Sequence, residues 1–279
     1  MVVDTSTLMQ IALELVGYDG IPADSAIYVP GEGIERLLFG LDIGAGELLM
    51  ARQLGYDAVI AHHPVGVTYR AWQVFERHVD LLVDAGVPVE AARAAVAPKL
   101  ETLRLGGIVR NYEQVPQAAR LLGMPFLNIH APLDELGRRK MQAAVDARLV
   151  ADAEPSLGDV ARTLSELPAA RRALTEVQVL LGDADAPAGR VVVAHGALTN
   201  GGYEVARAYF DHGIDTVVYI HITAGDLVRL QAHDGGQLLV TGHLTGDAVG
   251  IAPYVEALRR RGLTVDVLSD VLADAPPRG

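Results

Sequence analysis

Apolar side chains recur along this chain in two rhythms. Short unbroken apolar runs, bounded by glycine, proline or aspartate, mark buried strands, and apolar positions returning every three or four residues mark one-faced helices. Leu8, Ile11, Ala12 and Leu15 follow a capping Asp4 or Thr5 at helical spacing, and Gly17 closes that helix. A short strand is expected at Ala26–Val29. Arg36–Ile43 (RLLFGLDI) reads as a buried strand, Glu47–Leu54 as a short helix ended by Gly55, and Asp57–Ala61 (DAVIA) as a second buried strand. Strand, helix and strand at this length imply a parallel, right-handed crossover.

Further on, the pattern predicts helices over Trp72–Gly86 and Ala91–Leu103, a short strand over Leu127–His130, and helices over Met141–Val150 and Leu157–Leu167. Strands are expected at Glu176–Leu181, Arg190–Ala194, Thr216–Ile220, Gln237–Val240 and Thr264–Leu268, with helices over Tyr203–His212 and Ala248–Arg260. The tail ADAPPRG is expected to fray. The alternation predicts an α/β fold of two tightly packed lobes with mixed sheets and a cleft between them. The first lobe would span residues 1–140 and the second 141–279, with some intertwining. Both halves hold a strand–helix–strand unit ending in a histidine-bearing loop, which fits either an old duplication or ordinary α/β architecture.

Composition narrows the chemistry. Half of the 279 residues are hydrophobic, enough for a full core. A net charge of -12 disfavours a nucleic-acid partner, which calls for a basic surface. Cysteine is absent, so disulfides, thiolate metal sites and cysteine nucleophiles are excluded. Any metal must sit on imidazole and carboxylate. No run approaches the roughly 18 apolar residues of a membrane span, and the first residues lack a leader pattern, so a cytoplasmic protein is expected. No Walker-type glycine loop or Gly-x-Ser-x-Gly elbow appears.

Nine histidines invite over-reading. His78, His212 and His233 stand without companions and read as surface or hydrogen-bonded residues. His62 and His63 follow a predicted strand and precede Pro64, at the carboxyl end where α/β sheets bind ligands. Neighbours on a regular strand face opposite sides, but past its end two rings can diverge modestly, each toward its own ion. The plainer alternative is a pair of rings satisfied by backbone. His243 and Asp247, four apart, would share one face of a turn. Equally, Asp247 could cap the helix Ala248–Arg260. Asp134, in HAPLDELG, could also be a cap. Three histidines and two carboxylates at strand ends and loops could supply a dinuclear site, provided the fold brings them together.

The runs DAVIAHHPV, HAPLDELG and GHLTGDAVGI occur in this order, and together they resemble the YbgI-like family. That family is also called the Ngg-interacting-factor-like family, or GTP-cyclohydrolase type 2 homologues. The likeness covers most of the chain. It implies a dinuclear metal site between two α/β lobes, with ligands His62, His63, Asp134, His243 and Asp247, and with His130 beside the metals as the candidate catalytic residue. It also implies two divalent ions per chain, zinc first, with iron or manganese as alternatives. The expected assembly is a hexameric toroid, a trimer of dimers. The sequence departs from the family pattern in three places: Asp247 replaces the usual glutamate, and Ala61 and Ala131 replace threonines. The stretch between Pro64 and His130 is also longer than usual. The shorter arm of Asp247 raises the alternative of a single ion.

Two functions compete. One is a metal-dependent hydrolase of cyclohydrolase or phosphoesterase type, acting on an unnamed small molecule, with His130, and more distantly His195 or His221, moving protons. The other is a non-enzymatic metal-binding or protein-interaction scaffold.

Overall fold

The computed structural model describes residues 3–152, 154–233, 235–269 and 271–272, so the expected fraying of the tail lies outside the described residues. Asp4 caps helix α1 (Thr5–Val16), accepting from the Thr7 amide at 2.6 Å, and Gly17 ends it with φ 71°. Strand β1 (Ala26–Val29) follows, then β2 (Arg36–Gly40), helix α2 (Ala45–Gln53) and β3 (Ala58–Ala61). Strands β2 and β3 are parallel, with Leu37 opposite Ala58 and Gly40 opposite Ala61. Their side chains are buried on both faces, which explains the unbroken apolar runs.

The segment after Pro64 is largely helical. A 3-10 turn (Ala71–Glu76) leads into α3 (Arg77–Asp84). Helix α4 (Val89–Ile108) runs longer than its apolar pattern suggests, through Pro98 and two glycines. Helix α5 (Gln114–Leu122) was not expected, because Pro116 sits near its start; that is a tolerated position in a first turn. Strand β4 (Phe126–Asn128) pairs with β3 in parallel and β1 antiparallel.

Helix α6 (Ala131–Ala151) begins ten residues before the sequence pattern suggests, with His130 at its N-cap. HAPLDELG is therefore its opening turns, and Pro132 fits there because the first amides of a helix need no intrahelical acceptor. Helices α7 (Leu157–Ser165) and α8 (Pro168–Arg172), and strands β5 (Gln178–Leu181) and β6 (Val191–Val193), lead to α9 (Gly202–Asp211) and β7 (Thr216–Tyr219). Then come α10 (Ala224–Gln231), β8 (Gln237–Val240), α11 (His243–Arg259) and β9 (Thr264–Val267).

Two mixed sheets result. One has the order β1-β4-β3-β2-β9 and the other β5-β8-β7-β6. In the first, β4, β3, β2 and β9 are parallel and β1 is reversed; in the second, β6, β7 and β8 are parallel and β5 is reversed. The chain leaves the first sheet through α6 and returns to it through α11, which ends at β9. These two helices cross at glycines. A β-carbon on Gly250 would overlap the Leu133 carbonyl and stand 2.8 Å from the Gly137 amide, so only a bare backbone fits. The main core gathers α1, α6, α11 and side chains of both sheets, including Phe39, Leu127, Leu239 and Tyr254. Among the described residues, no helix is long and apolar enough to cross a membrane.

Candidate metal centre

Parallel strands align their carbonyl ends, and both sheets turn these ends toward the α6–α11 crossing. From the first sheet come His62 and His63 after β3, and His130 after β4. From the second come His195 after β6, His221 after β7 and His243 after β8. The two helices add Asp134 and Asp247, both 2 % exposed.

The side chains interlock at short range. Asp247 Oδ2 lies 3.2 Å from His243 Nε2, 3.3 Å from His63 Nε2 and 3.8 Å from His62 Nε2. Asp134 Oδ1 lies 3.1 Å from His62 Nε2 and 3.6 Å from His195 Nε2. Three overlapping groups have ligand atoms close enough for one ion each: His63, His243 and Asp247; His62, Asp134 and Asp247; and His62, His63 and His130. All six residues singled out in the sequence therefore meet. His78, His212 and His233 do not. His78 Nε2 donates to the Thr199 carbonyl, His212 Nδ1 to that of Ala208, and His233 faces Asp211.

The helix start rules out a capping role for Asp247. Gly242 is the N-cap of α11 and His243 its first residue, so Asp247 stands in the second turn, where it caps nothing. Its carboxylate faces histidines.

Hydrogen bonds fix which nitrogen of each ring faces the cluster. His62 Nδ1 donates to the Ile129 carbonyl at 3.0 Å, His63 Nδ1 to Asp42 at 2.7 Å and His130 Nδ1 to Asp24 at 2.8 Å. A neutral ring that donates from Nδ1 presents a bare lone pair at Nε2. His62 is thus satisfied by backbone at one nitrogen and not at the other. Its Nε2, Asp134 Oδ1 and His195 Nε2 are all buried without a hydrogen-bond partner among the described residues. Clustered buried polar atoms left unpaired are costly unless a cation or other partners lie among them. The donor set, imidazole and carboxylate without thiolate, fits zinc, iron or manganese.

His221 is turned the other way. The Asn200 side-chain amide donates to its Nδ1 at 2.8 Å, while Asn200 Oδ1 accepts from Lys99 and the Gly202 amide. That leaves the His221 proton on Nε2, as a donor rather than a ligand.

The charges reinforce one another. Burial opposes ionisation of Asp134 and Asp247, yet the surrounding histidines hold both carboxyls below the usual carboxylate range. Burial also opposes a proton on His130, but Asp134 and Asp24 outweigh it and push the ring up to about 9. Burial pulls His195 down, and it pulls His221 down to about 4.

Sequence reasoning missed Asp24, Asp42 and Asn200. Asp42 lies two residues past the end of β2, beside His63, a position that strand pairing could have flagged. Asp24 and Asn200 lie in turns with no periodic signal.

No family model matches the chain, and no curated protein does. Solved structures do. A NIF3 superfamily protein from Sphaerobacter thermophilus is 47% identical, over 96% of this chain and 98% of that one, with a TM-score of 0.93. This chain belongs to the NIF3 superfamily. Reduced HcgD from Methanocaldococcus jannaschii shares the fold at 13% identity and TM-score 0.59, covering 96% of this chain and 99% of its own. Protein ybgI shares it at 16% identity and TM-score 0.52, covering 95% and 98%. The resemblance to the YbgI-like family is borne out, and so is the α/β fold. The superfamily fold carries here a buried histidine–aspartate group able to hold metal.

Proposed function

We propose that this chain is a dinuclear metal-dependent hydrolase of a small molecule. His63, His243 and Asp247 would hold an outer ion, and His62, Asp134 and Asp247 an inner one, with zinc first and iron or manganese as alternatives. One observation carries the reading: a single atom, Asp247 Oδ2, lies 3.2–3.8 Å from ring nitrogens of both groups. Two donors about 2.0–2.1 Å from one tetrahedral zinc stand roughly 3.3 Å apart. The aspartate arm, though shorter than the family's glutamate, is thus long enough to serve both groups.

Two bound ions supply an activated water and a Lewis acid for the scissile bond. The residues do the rest. Asp24 fixes the His130 ring through Nδ1, which also lies 3.6 Å from Asp134 Oδ2, so the imidazole stands among the proposed ligands as a group able to receive or return a proton. His221, held by Asn200, offers an N–H beside His243, their ring centroids 4.9 Å apart. His243 is half exposed while His62, Asp134 and Asp247 are buried, so a substrate would approach from the His243 side. That open side favours turnover over a closed metal store, the scaffold alternative.

The test is metal analysis of purified protein, followed by a hydrolysis screen of cyclic and phosphorylated substrates with zinc, iron or manganese restored. Turnover that follows metal content supports the reading. Stoichiometric metal without turnover on any substrate would favour the scaffold. Assembly as a hexamer is proposed on the family resemblance, and sedimentation tests it. Leu105 and Ile108 on α4, Val109 just past it and Leu121 on α5 are exposed apolar side chains such contacts could cover.

A further inference from the structure

His195 lies outside the ligand set carried by the family's motifs, yet it is 3 % exposed and its Nε2 has no hydrogen-bond partner among the described residues. That nitrogen stands 3.6 Å from Asp134 Oδ1, an equally unpartnered atom. The separation is too long for a hydrogen bond. It is close to the roughly 3.3 Å between two donors on one tetrahedral zinc. Asp134 Oδ1 is the same atom that lies 3.1 Å from His62 Nε2. Asp134 Oδ1, on helix α6, therefore stands between two buried and unpartnered ring nitrogens, one carried by each sheet.

The loop behind His195 is built to hold it there. Gly196, at φ 80°, lets the backbone press on α6 next to Asp134; a β-carbon would stand 3.2 Å from the Glu135 Cα. Leu198 has φ 69°, a left-handed conformation that is strained for a non-glycine residue. Two side chains from the long helical segment, buried His78 and half-buried Lys99, brace the strained turn. His78 Nε2 donates to the Thr199 carbonyl at 2.9 Å, and Lys99 Nζ to the Asn200 carbonyl at 2.7 Å. Strain kept by such bracing marks a position with a task.

We propose that His195 is a ligand of the inner ion, completing a set with His62, Asp134 and Asp247. The assignment rests on the metal reading above. It gives the inner ion a closed protein sphere and leaves the open positions to the outer one, which separates a holding ion from a reacting one.

The experiment strips the full-length protein of metal, then titrates wild type, His195→Ala, His195→Gln and, as a control on the outer group, His243→Ala with zinc against a competing chelator. Cobalt loading reports the coordination by visible absorption. Expected for both His195 variants is one ion bound as in wild type, which also shows that the fold survives. The other should weaken beyond the roughly 10–100-fold that loss of an outer partner costs, with altered cobalt bands. His243→Ala should instead spare the inner ion. Two ions bound with wild-type affinity and spectrum in both His195 variants would overturn this assignment and leave the dinuclear reading standing. A wild-type protein that takes up no stoichiometric metal would overturn both.

Discussion

His63 and Asp247 are 184 positions apart in the chain, and their Nε2 and Oδ2 atoms are 3.3 Å apart in space. The contact joins the end of β3 to the second turn of α11. Asp247→Asn should therefore reduce metal affinity at both ions, by more than about 100-fold, because a neutral amide is a poor bridging donor and more is lost than an outer partner. Elemental analysis and chelator competition check this. Unchanged metal content would remove Asp247 from the ligand set. A capping role predicts no change, since asparagine caps as well as aspartate, but Asp247 lies inside the helix.

Asp24 is buried and holds His130 by its Nδ1. Asp24→Asn should lower the titration midpoint of His130 in the metal-free protein from about 9, since one of the carboxylates that outweigh burial is gone. Histidine NMR resolves it, and a midpoint that stays put would mean that Asp134 and Asp247 sustain the shift without Asp24.

Gly250→Ala should destabilise the protein by at least the ~1–3 kcal/mol typical of overpacking, since the new methyl has backbone rather than flexible side chain against it. Metal binding should weaken as well, because the crossing sets the spacing of Asp134 and Asp247. Chemical denaturation and metal titration measure the two effects, and a stability within 0.5 kcal/mol, roughly the scatter of neutral surface changes, would contradict the packing.

His78 gives the pH dependence. Burial pulls this ring down to about 4, and it sits neutral against the Thr199 carbonyl. Its folded value is below the unfolded 6.5, so the unfolded state takes up the proton first. Stability should then be full above pH 6.5 and fall as the pH drops toward 4, by on the order of 3 kcal/mol. Denaturation of the metal-free protein across that window, compared with His78→Gln, isolates the effect. An equal slope in the variant would assign it to other groups.

Much of this was legible in the sequence because burial on two faces leaves a plain signature. RLLFG and AVIA read as inner strands, which placed His62 and His63 at the carboxyl end of the second. The pair His243 and Asp247 was visible as a spacing. Their meeting with His62 was not, since it depends on two helices crossing at Gly137 and Gly250, where the sequence shows only small residues. The start of α6 was hidden for a related reason. Pro132 and buried Asp134 look like a turn until the carboxylate is seen to face histidines. Helix α10 was missed because Gly225 and a thin apolar face weaken its period. His195 did carry a signal, a histidine just past an apolar strand, shared by many histidines that bind nothing.

The chain passes between its two sheets through α6 in one direction and α11 in the other, and these passages carry Asp134 and Asp247 respectively. A cation held between them would be a rivet as well as a reagent, pinning the outbound and returning passages of one thread. Cohesion of the two halves and occupancy of the centre then become a single equilibrium. Once the ion exceeds its dissociation constant, every tenfold rise in its free concentration tightens that joint by about 1.4 kcal/mol. The mechanical integrity of the molecule would thus report the metal supply around it.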